Sequence, residues 1–153
     1  MNDSFSTNLS QTQPIAVAIA IIYQDGKYLM QLRDNIHTIV YPGVWGFFGG
    51  HIEPGEEPEL ALKRELVEEI DYQAPTLTKF CTAQDRGYIR HIYSCPLAVS
   101  VAALNLREGW DLKLLTTAEI QQGFAYSERA LASKPLGKLH RQILLDFIAA
   151  TVR

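Results

Sequence analysis

The sequence is short of basic residues and of long hydrophobic runs, and each shortage excludes a class of protein. Its 153 residues hold 14 Lys and Arg against 17 Asp and Glu, without a basic run, so neither a nucleic-acid surface nor a basic membrane-binding patch is expected. The longest uncharged apolar stretch, residues 14–23, is about half of the ~20 residues that a helix needs to cross a bilayer. We therefore expect no nucleic acid and no membrane as a partner.

Cysteine is also scarce, and the N-terminus lacks the features of a targeting signal. Cys81 and Cys95 are the two cysteines, and they have neither metal-ligand spacing nor the density of a disulfide-rich scaffold. Residues 1–13 have no basic start and no apolar core, so they match neither a secretory nor an organellar signal. These features predict a cytoplasmic protein with free thiols, in which a flexible tail over residues 1–13 precedes one domain over residues 14–153.

Hydrophobic periodicity and turn residues predict both strands and helices. Strands are expected over residues 15–23, 27–32, 76–82, 88–101 and 111–115. The first two of them should form a hairpin. Helices are expected over residues 58–70 and 138–152, with a brief third helix that Gly123 ends, and loops over residues 33–43 and 124–134. Strands on either side of one helix, followed by a closing helix, predict a mixed α/β sandwich.

The helix expected over residues 58–70 carries acidic residues on one face. At ~100° per residue, Glu65, Glu68 and Glu69 project to the same side. Like charges at this spacing destabilise a helix by ~0.2 to 0.5 kcal/mol per pair, so a cation over this face would stabilise it. Mg²⁺ suits the position because it takes oxygen ligands and bridges carboxylates to phosphates. Spacing alone leaves open both a metal site and a plain solvated acidic face.

The residues around these acids complete a longer pattern. The segment from Gly50 to Tyr72 resembles the Nudix signature G-x5-E-x7-R-E-U-x-E-E-x-G-U, in which U is a bulky apolar residue. The matching residues are Gly50, Glu56, Arg64, Glu65, Leu66, Glu68, Glu69 and Tyr72. Asp71 replaces the usual Gly, at a position that would end the helix in a left-handed conformation, and Asp tolerates that conformation better than most residues.

The resemblance implies a Nudix-type α/β/α sandwich with a mixed sheet, and hydrolysis of a diphosphate linked to another moiety. It also implies a divalent cofactor, Mg²⁺ or Mn²⁺. The expected metal ligands are Glu65, Glu68, Glu69, Glu56 and a backbone carbonyl at Gly49. Arg64 should orient a carboxylate through a bidentate pair.

The general base and the substrate contacts are less defined. Glu65, in the signature helix, is one candidate for the base. Glu108 is the other, because family members often place an acidic residue after the long strand. Candidate substrate contacts are Gly50, Tyr41, Trp45 and Tyr88. The four histidines, His37, His51, His91 and His140, show no ligand spacing and are expected to be solvated.

The pattern does not define the substrate. Nucleoside triphosphates, nucleotide sugars and dinucleoside polyphosphates all carry the required linkage. The alternative function is a Nudix-like domain that binds a nucleotide without cutting it, although such a domain should have lost its metal-binding acids. A homodimer is also left open.

Overall fold

The computed structural model describes residues 13–34 and 42–151. Tyr41, His37 and the tail over residues 1–12 lie outside the described residues. The regular elements, in chain order, are β1 (Ile15–Gln24), β2 (Lys27–Leu32), β3 (Trp45–Gly46), β4 (Phe48–His51), α1 (Pro58–Ile70), β5 (Thr78–Asp85), β6 (Tyr88–Pro96), a 3₁₀ turn (Val101–Ala103), β7 (Asp111–Leu115), α2 (Thr117–Gln122), β8 (Phe124–Ser127), β9 (Ala132–Pro135) and α3 (Lys138–Thr151).

The first two strands form the expected hairpin. Gln24 pairs with Lys27, and the two residues between them, Asp25 and Gly26, both have positive φ angles, of 51° and 73°. Such a two-residue turn matches the right-handed twist of the flanking strands. The hairpin places β1 at the centre of the sheet, where it pairs in parallel with β6 on its other side.

The sheet is mixed and lies between two helices. Its strand order is β3-β2-β1-β6-β5, with β4 added to β1 and β7 added to β2. One apolar cluster joins Ile19 and Ile21 to Leu144 and Phe147 of α3. The other joins alternate residues of β1 to Leu62, Leu66 and Ile70 of α1. The predicted α/β/α sandwich is therefore confirmed.

One edge of β1 is shared by two partners, and this opens the sheet. Residues 22–24 of β1 pair with β2, whereas residues 17–20 pair with β4. Because β2 and β4 leave β1 at different points, the sheet separates between them. Gln31, near the end of β2, lies at this separation, and its side-chain amide bridges to the backbone carbonyl of Phe47 at 3.1 Å.

Several local predictions are wrong or need correction. Residues 124–134, expected to be a loop, form the hairpin of β8 and β9. The long strand expected over residues 88–101 ends at Pro96, because proline cannot donate a ladder hydrogen bond.

The helices otherwise end where the sequence indicated. α1 runs to Ile70, and Asp71 then adopts the left-handed conformation with φ 56° and ψ 39°. α2 begins with a capping box between Thr116 and Glu119 and ends at Gly123. Within residues 13–34 and 42–151, no helix combines the length and apolar character that a membrane crossing requires.

Candidate active site

The acidic helix reaches the sheet through two glycines of β4. α1 is held on its apolar side by Leu62 and Leu66, which are fully buried, so its acidic side turns toward β4. A Cβ atom at Gly50 would lie only 2.4 Å from the carboxyl carbon of Glu65. Gly49 has φ +148°, and a Cβ there would lie 2.1 Å from the carbonyl oxygen of Ala18. Glycine at position 50 therefore lets Glu65 approach the sheet, and glycine at position 49 lets β4 lie close against β1.

Glu69 is the most buried carboxylate of the chain's described part, with 4% of its surface exposed. Its Oε1 accepts a hydrogen bond from the Gly49 N–H at 3.0 Å, and its Oε2 accepts one from Gln31 Nε2 at 3.3 Å. Burial, with smaller effects from the charges of Glu65 and Glu108, raises its pKa to about 8 against the lowering effect of the two donors. Burial likewise raises the pKa of Glu65, while Arg64 opposes that rise.

Arg64 divides the expected ligands into two groups. Its Nε and Nη2 both lie 2.9 Å from the carboxylate of Glu56, so the arginine makes a bidentate pair. The hydrogen bonds from Arg64, joined by one from the Glu53 backbone, lower the pKa of Glu56 to about 2. Glu68 also faces Arg64, at 3.6 Å, and is half exposed. Glu56 and Glu68 are thus directed toward the arginine instead of the cleft.

The four expected glutamates consequently do not form a single cluster. Glu65 and Glu69 line the cleft, whereas Glu56 and Glu68 do not. Among the described residues, no three side chains of His, Cys, Asp or Glu come together in a way that could hold a metal ion by themselves. Arg64 pairs with Glu56 and Glu68, which lie outside the cleft, and also with Glu65, which lines it. The metal role of these residues stays a prediction.

A loop brings Glu108 to the same end of the cleft. The N–H of Arg107 donates to the carbonyl oxygen of Glu69 at 2.8 Å, and the N–H of Trp110 donates to that of Leu32 at 2.8 Å. Gly109 between them has φ +105°. The loop is therefore docked on the last turn of α1, and Glu108 lines the cleft with Glu65 and Glu69.

The whole cleft has a volume of about 600 Å³, and the rest of its lining comes mainly from the face of the sheet that looks toward α3. Val17 and Ile19 form part of its floor, and strand pairing places Arg90 beside Val17. The guanidinium of Arg90 is ion-paired with Asp85 and lies over the ring of Tyr88, 5.0 Å from the ring centre. Arg33 and Arg86 also line the cleft. It is therefore acidic at the α1 end and basic near Tyr88.

His140, at the start of α3, is a cleft residue that the sequence did not reveal. Its Nδ1 accepts a hydrogen bond from the Phe47 N–H at 2.9 Å, and its ring stacks on the Phe47 ring at 5.1 Å. Burial, with smaller effects from Arg33 and Arg90, lowers its pKa to about 4. The expectation of a solvated histidine needs correction here, because the ring is only partly exposed and its Nδ1 is held by the backbone. The His140 ring packs closely against Gly46, where a Cβ would lie 3.1 Å from Nδ1. A single glycine so far away in the sequence gives no signal that could have predicted this contact.

The other expected residues have different outcomes. Gly49, Gly50 and Tyr88 line the cleft, as does His51. Trp45 does not line it, because the ring is fully buried and its indole N–H donates to the Ala125 carbonyl at 3.1 Å. The structure thus corrects the expectation that Trp45 contacts substrate. Cys81 and Cys95 are free thiols.

Comparisons with known proteins agree with this architecture. The chain matches the family model described as NUDIX domain over residues 12–146. The nucleoside triphosphatase NudI of Salmonella arizonae is 43% identical over 58 residues, which is 37% of this chain and 40% of that protein. The chain therefore matches less than half the length of that relative.

Solved structures share the fold over nearly the whole chain. The E. coli ORF135 protein, solved in solution, is 27% identical with a TM-score of 0.65, covering 93% of this chain and 96% of that one. The NUDIX domain of Shewanella oneidensis NrtR, crystallised with ADP ribose, is 20% identical with a TM-score of 0.69, covering 99% of both chains. The resemblance carried by residues 50–72 is confirmed, and the chain belongs to the Nudix family.

Proposed function

We propose that this chain is a metal-dependent pyrophosphohydrolase that cuts a phosphoanhydride bond of nucleoside triphosphates. The observation that carries the proposal is the meeting of Glu65, Glu69 and Glu108 at one end of a cleft large enough for a nucleotide. The similarity to a nucleoside triphosphatase supports the choice of substrate. Nucleotide sugars and dinucleoside polyphosphates are the alternative substrates, against which nucleoside triphosphates should be compared.

The residues at the acidic end suit a hard divalent cation such as Mg²⁺ or Mn²⁺. Glu65 and Glu69 offer carboxylate oxygens, and burial raises the pKa of both carboxyls even though Arg64 is paired with Glu65, so a bound cation would favour their charged forms. Mg²⁺ is commonly held by one or two carboxylates, with substrate phosphates and water completing its shell. A cation bound there would neutralise the diphosphate and lower the pKa of the attacking water.

The surrounding residues hold these carboxylates in place. The Gly49 N–H and the Gln31 amide fix the two oxygens of Glu69. Arg64 holds Glu65 through Nη1 at 3.1 Å and is itself anchored by Glu56 and by the carbonyl of His51. Such outer contacts orient ligands before substrate arrives. Arg64 and Glu56 are therefore positioning residues in this proposal.

Glu108 is the group that we assign as general base. Among the described residues its carboxylate has no hydrogen bond or ion pair, whereas one oxygen of Glu65 is already held by Arg64. An exposed carboxylate on a docked loop can accept a proton from water near the acidic end and release it to solvent. Glu65 is the competing candidate.

The proposal is tested by incubating the protein with the common ribo- and deoxyribonucleoside triphosphates in Mg²⁺ and identifying the products. We expect a nucleoside monophosphate and pyrophosphate, and no turnover in excess chelator. Glu69→Gln should weaken metal binding and lower kcat by about 10³-fold, since the charge stabilisation supplied through a metal ligand amounts to several kcal/mol. Raising Mg²⁺ should recover part of that loss.

Glu128→Gln is the matched control, because Glu128 is an exposed carboxylate of the loop between β8 and β9. It should behave as the wild type. Full activity in excess chelator, or normal metal affinity with normal turnover in Glu69→Gln, would overturn the proposed mechanism. Tight nucleotide binding without any turnover would favour the alternative, a binding domain.

A further inference from the structure

We infer that His140 selects the nucleobase, by donating a hydrogen bond from Nε2 to a carbonyl oxygen on the edge of the base. This inference rests on the proposed function, because it assigns the part of the same cleft that lies away from the acidic end. It makes His140 a specificity-determining residue, and it predicts a preference for keto bases over their amino counterparts.

The tautomer of His140 is fixed by the backbone. The Phe47 N–H donates to Nδ1 at 2.9 Å, so Nδ1 must be the unprotonated nitrogen of the ring. A neutral imidazole with an accepting Nδ1 carries its proton on Nε2. Protonation of Nδ1 would break this bond, and Arg33 and Arg90 nearby also disfavour a positive ring. His140 is therefore held as a neutral donor.

Nε2 is the polar atom that His140 offers to the cleft. Phe47 stacks on the ring, and the backbone at Gly46 and Gly137 lies close around Nδ1, Cε1 and Cδ2. Within residues 13–34 and 42–151, Nε2 makes no hydrogen bond, yet no buried side-chain nitrogen there lacks a partner. Nε2 is therefore open to solvent, and His140 lines the cleft.

The neutral donor at Nε2 and the apolar floor beside it favour a base over a phosphate, and of the two arginines near His140, Arg33 and Arg90, the second is already ion-paired with Asp85. A neutral N–H is a modest donor, whereas phosphate recognition in proteins relies on charged donors such as arginine. Beside His140 lies the apolar ring of Phe47, and Ile19 and Val17 continue the apolar floor. An aromatic base fits such a surface, and a donor that cannot accept at Nε2 will reject an exocyclic amino group there.

The first test compares nucleotides that differ in one group. Inosine and adenosine triphosphates differ at position 6 of the purine, and uridine and cytidine triphosphates differ at position 4 of the pyrimidine. We expect wild-type kcat/KM to favour the keto member of at least one pair by about 10-fold, the size of one satisfied hydrogen bond. A preference for the amino member in both pairs, or no preference in either, would overturn the inference.

The second test uses two variants of His140. Asn at this position can still accept the Phe47 N–H but cannot place a donor at Nε2, so His140→Asn should reduce the preference to within about 2-fold. Gln can place an amide N–H near the Nε2 position, so His140→Gln should retain part of the preference. An unchanged preference in His140→Asn, with the variant folded, contradicts the inference.

Two further measurements keep the inference separate from the proposed function. Nucleoside monophosphates lack the bond to be cut, so their binding to wild type and His140→Asn reports base selection even if no triphosphate is hydrolysed. Loss of the keto preference in binding supports the inference in either case, whereas normal hydrolysis with equal binding of keto and amino nucleotides refutes the inference alone. Nitrogen-15 NMR of the wild-type imidazole needs no variant, and a proton found on Nδ1 would refute the tautomer.

Discussion

The two ends of the cleft keep ionisable groups neutral for the same reason but with opposite consequences. At the acidic end, burial raises the pKa of Glu69 to about 8, and neighbouring carboxylates add to the rise. At the other end, burial lowers the pKa of His140 to about 4, and neighbouring arginines add to the fall. A cation can reverse the first effect, whereas the two charged neighbours that act on the His140 ring, Arg33 and Arg90, reinforce the second. The protonation of Glu69 therefore depends on whether a cation is bound at the acidic end. The ring of His140 at the other end stays neutral and keeps the same hydrogen-bonding pattern.

The largest expected effect tests which carboxylate of the acidic end moves the proton. Glu108→Gln should lower kcat by ~10²- to 10⁴-fold while leaving metal affinity nearly intact, because an amide cannot accept the proton. The keto preference assigned to His140 should be unchanged in this variant, since the two ends act separately. The measurement is kcat against Mg²⁺ concentration, with Glu65→Gln in parallel.

Three outcomes distinguish the candidates. Loss of turnover in Glu108→Gln at every Mg²⁺ concentration supports Glu108 as the base. A near-normal kcat in that variant, together with a metal-independent loss in Glu65→Gln, would transfer the role to Glu65. A loss in Glu108→Gln that excess Mg²⁺ restores would make Glu108 a metal ligand instead.

The next effect is the dependence of stability on pH at the acidic end. Glu69 has a folded pKa of about 8, raised from 4.5. Its contribution to stability is therefore fully present below about pH 4.5 and is lost as pH rises through about 8. Since one pKa unit corresponds to about 1.4 kcal/mol, the metal-free protein should lose a few kcal/mol of unfolding free energy over this interval.

Glu69→Gln is the variant that isolates this effect. Its unfolding free energy, measured by urea titration without metal, should vary much less between pH 5 and pH 9 than that of the wild type. Adding Mg²⁺ to the wild type should restore stability at high pH and release protons. Parallel pH profiles for wild type and Glu69→Gln would show that Glu69 is not the group responsible.

His140 should make the unfolding free energy depend on pH in the opposite direction, and by a smaller amount. Its folded pKa of about 4 lies below the ordinary 6.5, so its contribution to stability is present above about pH 6.5 and is lost as pH falls toward 4. The ring keeps some exposure to solvent, so we expect at most about 2 kcal/mol. The loss should be absent from His140→Gln and unaffected by Mg²⁺, and a Mg²⁺-dependent loss would contradict the independence of the two ends.

The acidic end was predictable from sequence because its residues are local. Eight residues from Gly50 in β4 to Tyr72 just after α1 carry the signature, and helical geometry converts the spacing of those within α1 into a shared face. Helix α1, its left-handed end at Asp71 and the hairpin of β1 and β2 followed from the same kind of short-range rule. What spacing could not show was that Arg64 pairs with Glu56, Glu65 and Glu68, and that of these three only Glu65 lines the cleft.

The other end was not predictable because its contacts span the chain. His140 meets Phe47 across 93 positions, and no periodicity connects the start of a helix to a residue between two short strands. The prediction that Trp45 contacts substrate was wrong for a related reason. Its indole N–H bonds to Ala125, which lies in a hairpin that was itself expected to be a loop. β8 and β9 were missed because they are four-residue strands, too short to show alternation.

The smallest expected effect concerns Asp71, where the acidic helix departs from the family signature. Its left-handed conformation is strained for a residue with a Cβ, so Asp71→Gly should stabilise the fold by up to ~1 kcal/mol. The carboxylate lies 3.5 Å from Arg107, and both side chains are about half exposed. A surface pair of this kind contributes ~0 to 1 kcal/mol, so the net gain should be smaller at low salt.

Salt separates the two contributions of Asp71, because a high ionic strength screens the pair without relieving the backbone. The gain in unfolding free energy of Asp71→Gly over wild type should therefore grow from low salt to about 1 M NaCl. Asp71→Asn is the matched control, since it loses the charge but keeps a side chain that tolerates the left-handed region. Turnover should change little in either variant, because the backbone N–H of Arg107 still docks the Glu108 loop on Glu69. A destabilised Asp71→Gly protein at high salt, or a large loss of turnover, would show that Asp71 holds that loop and that the acidic end depends on it.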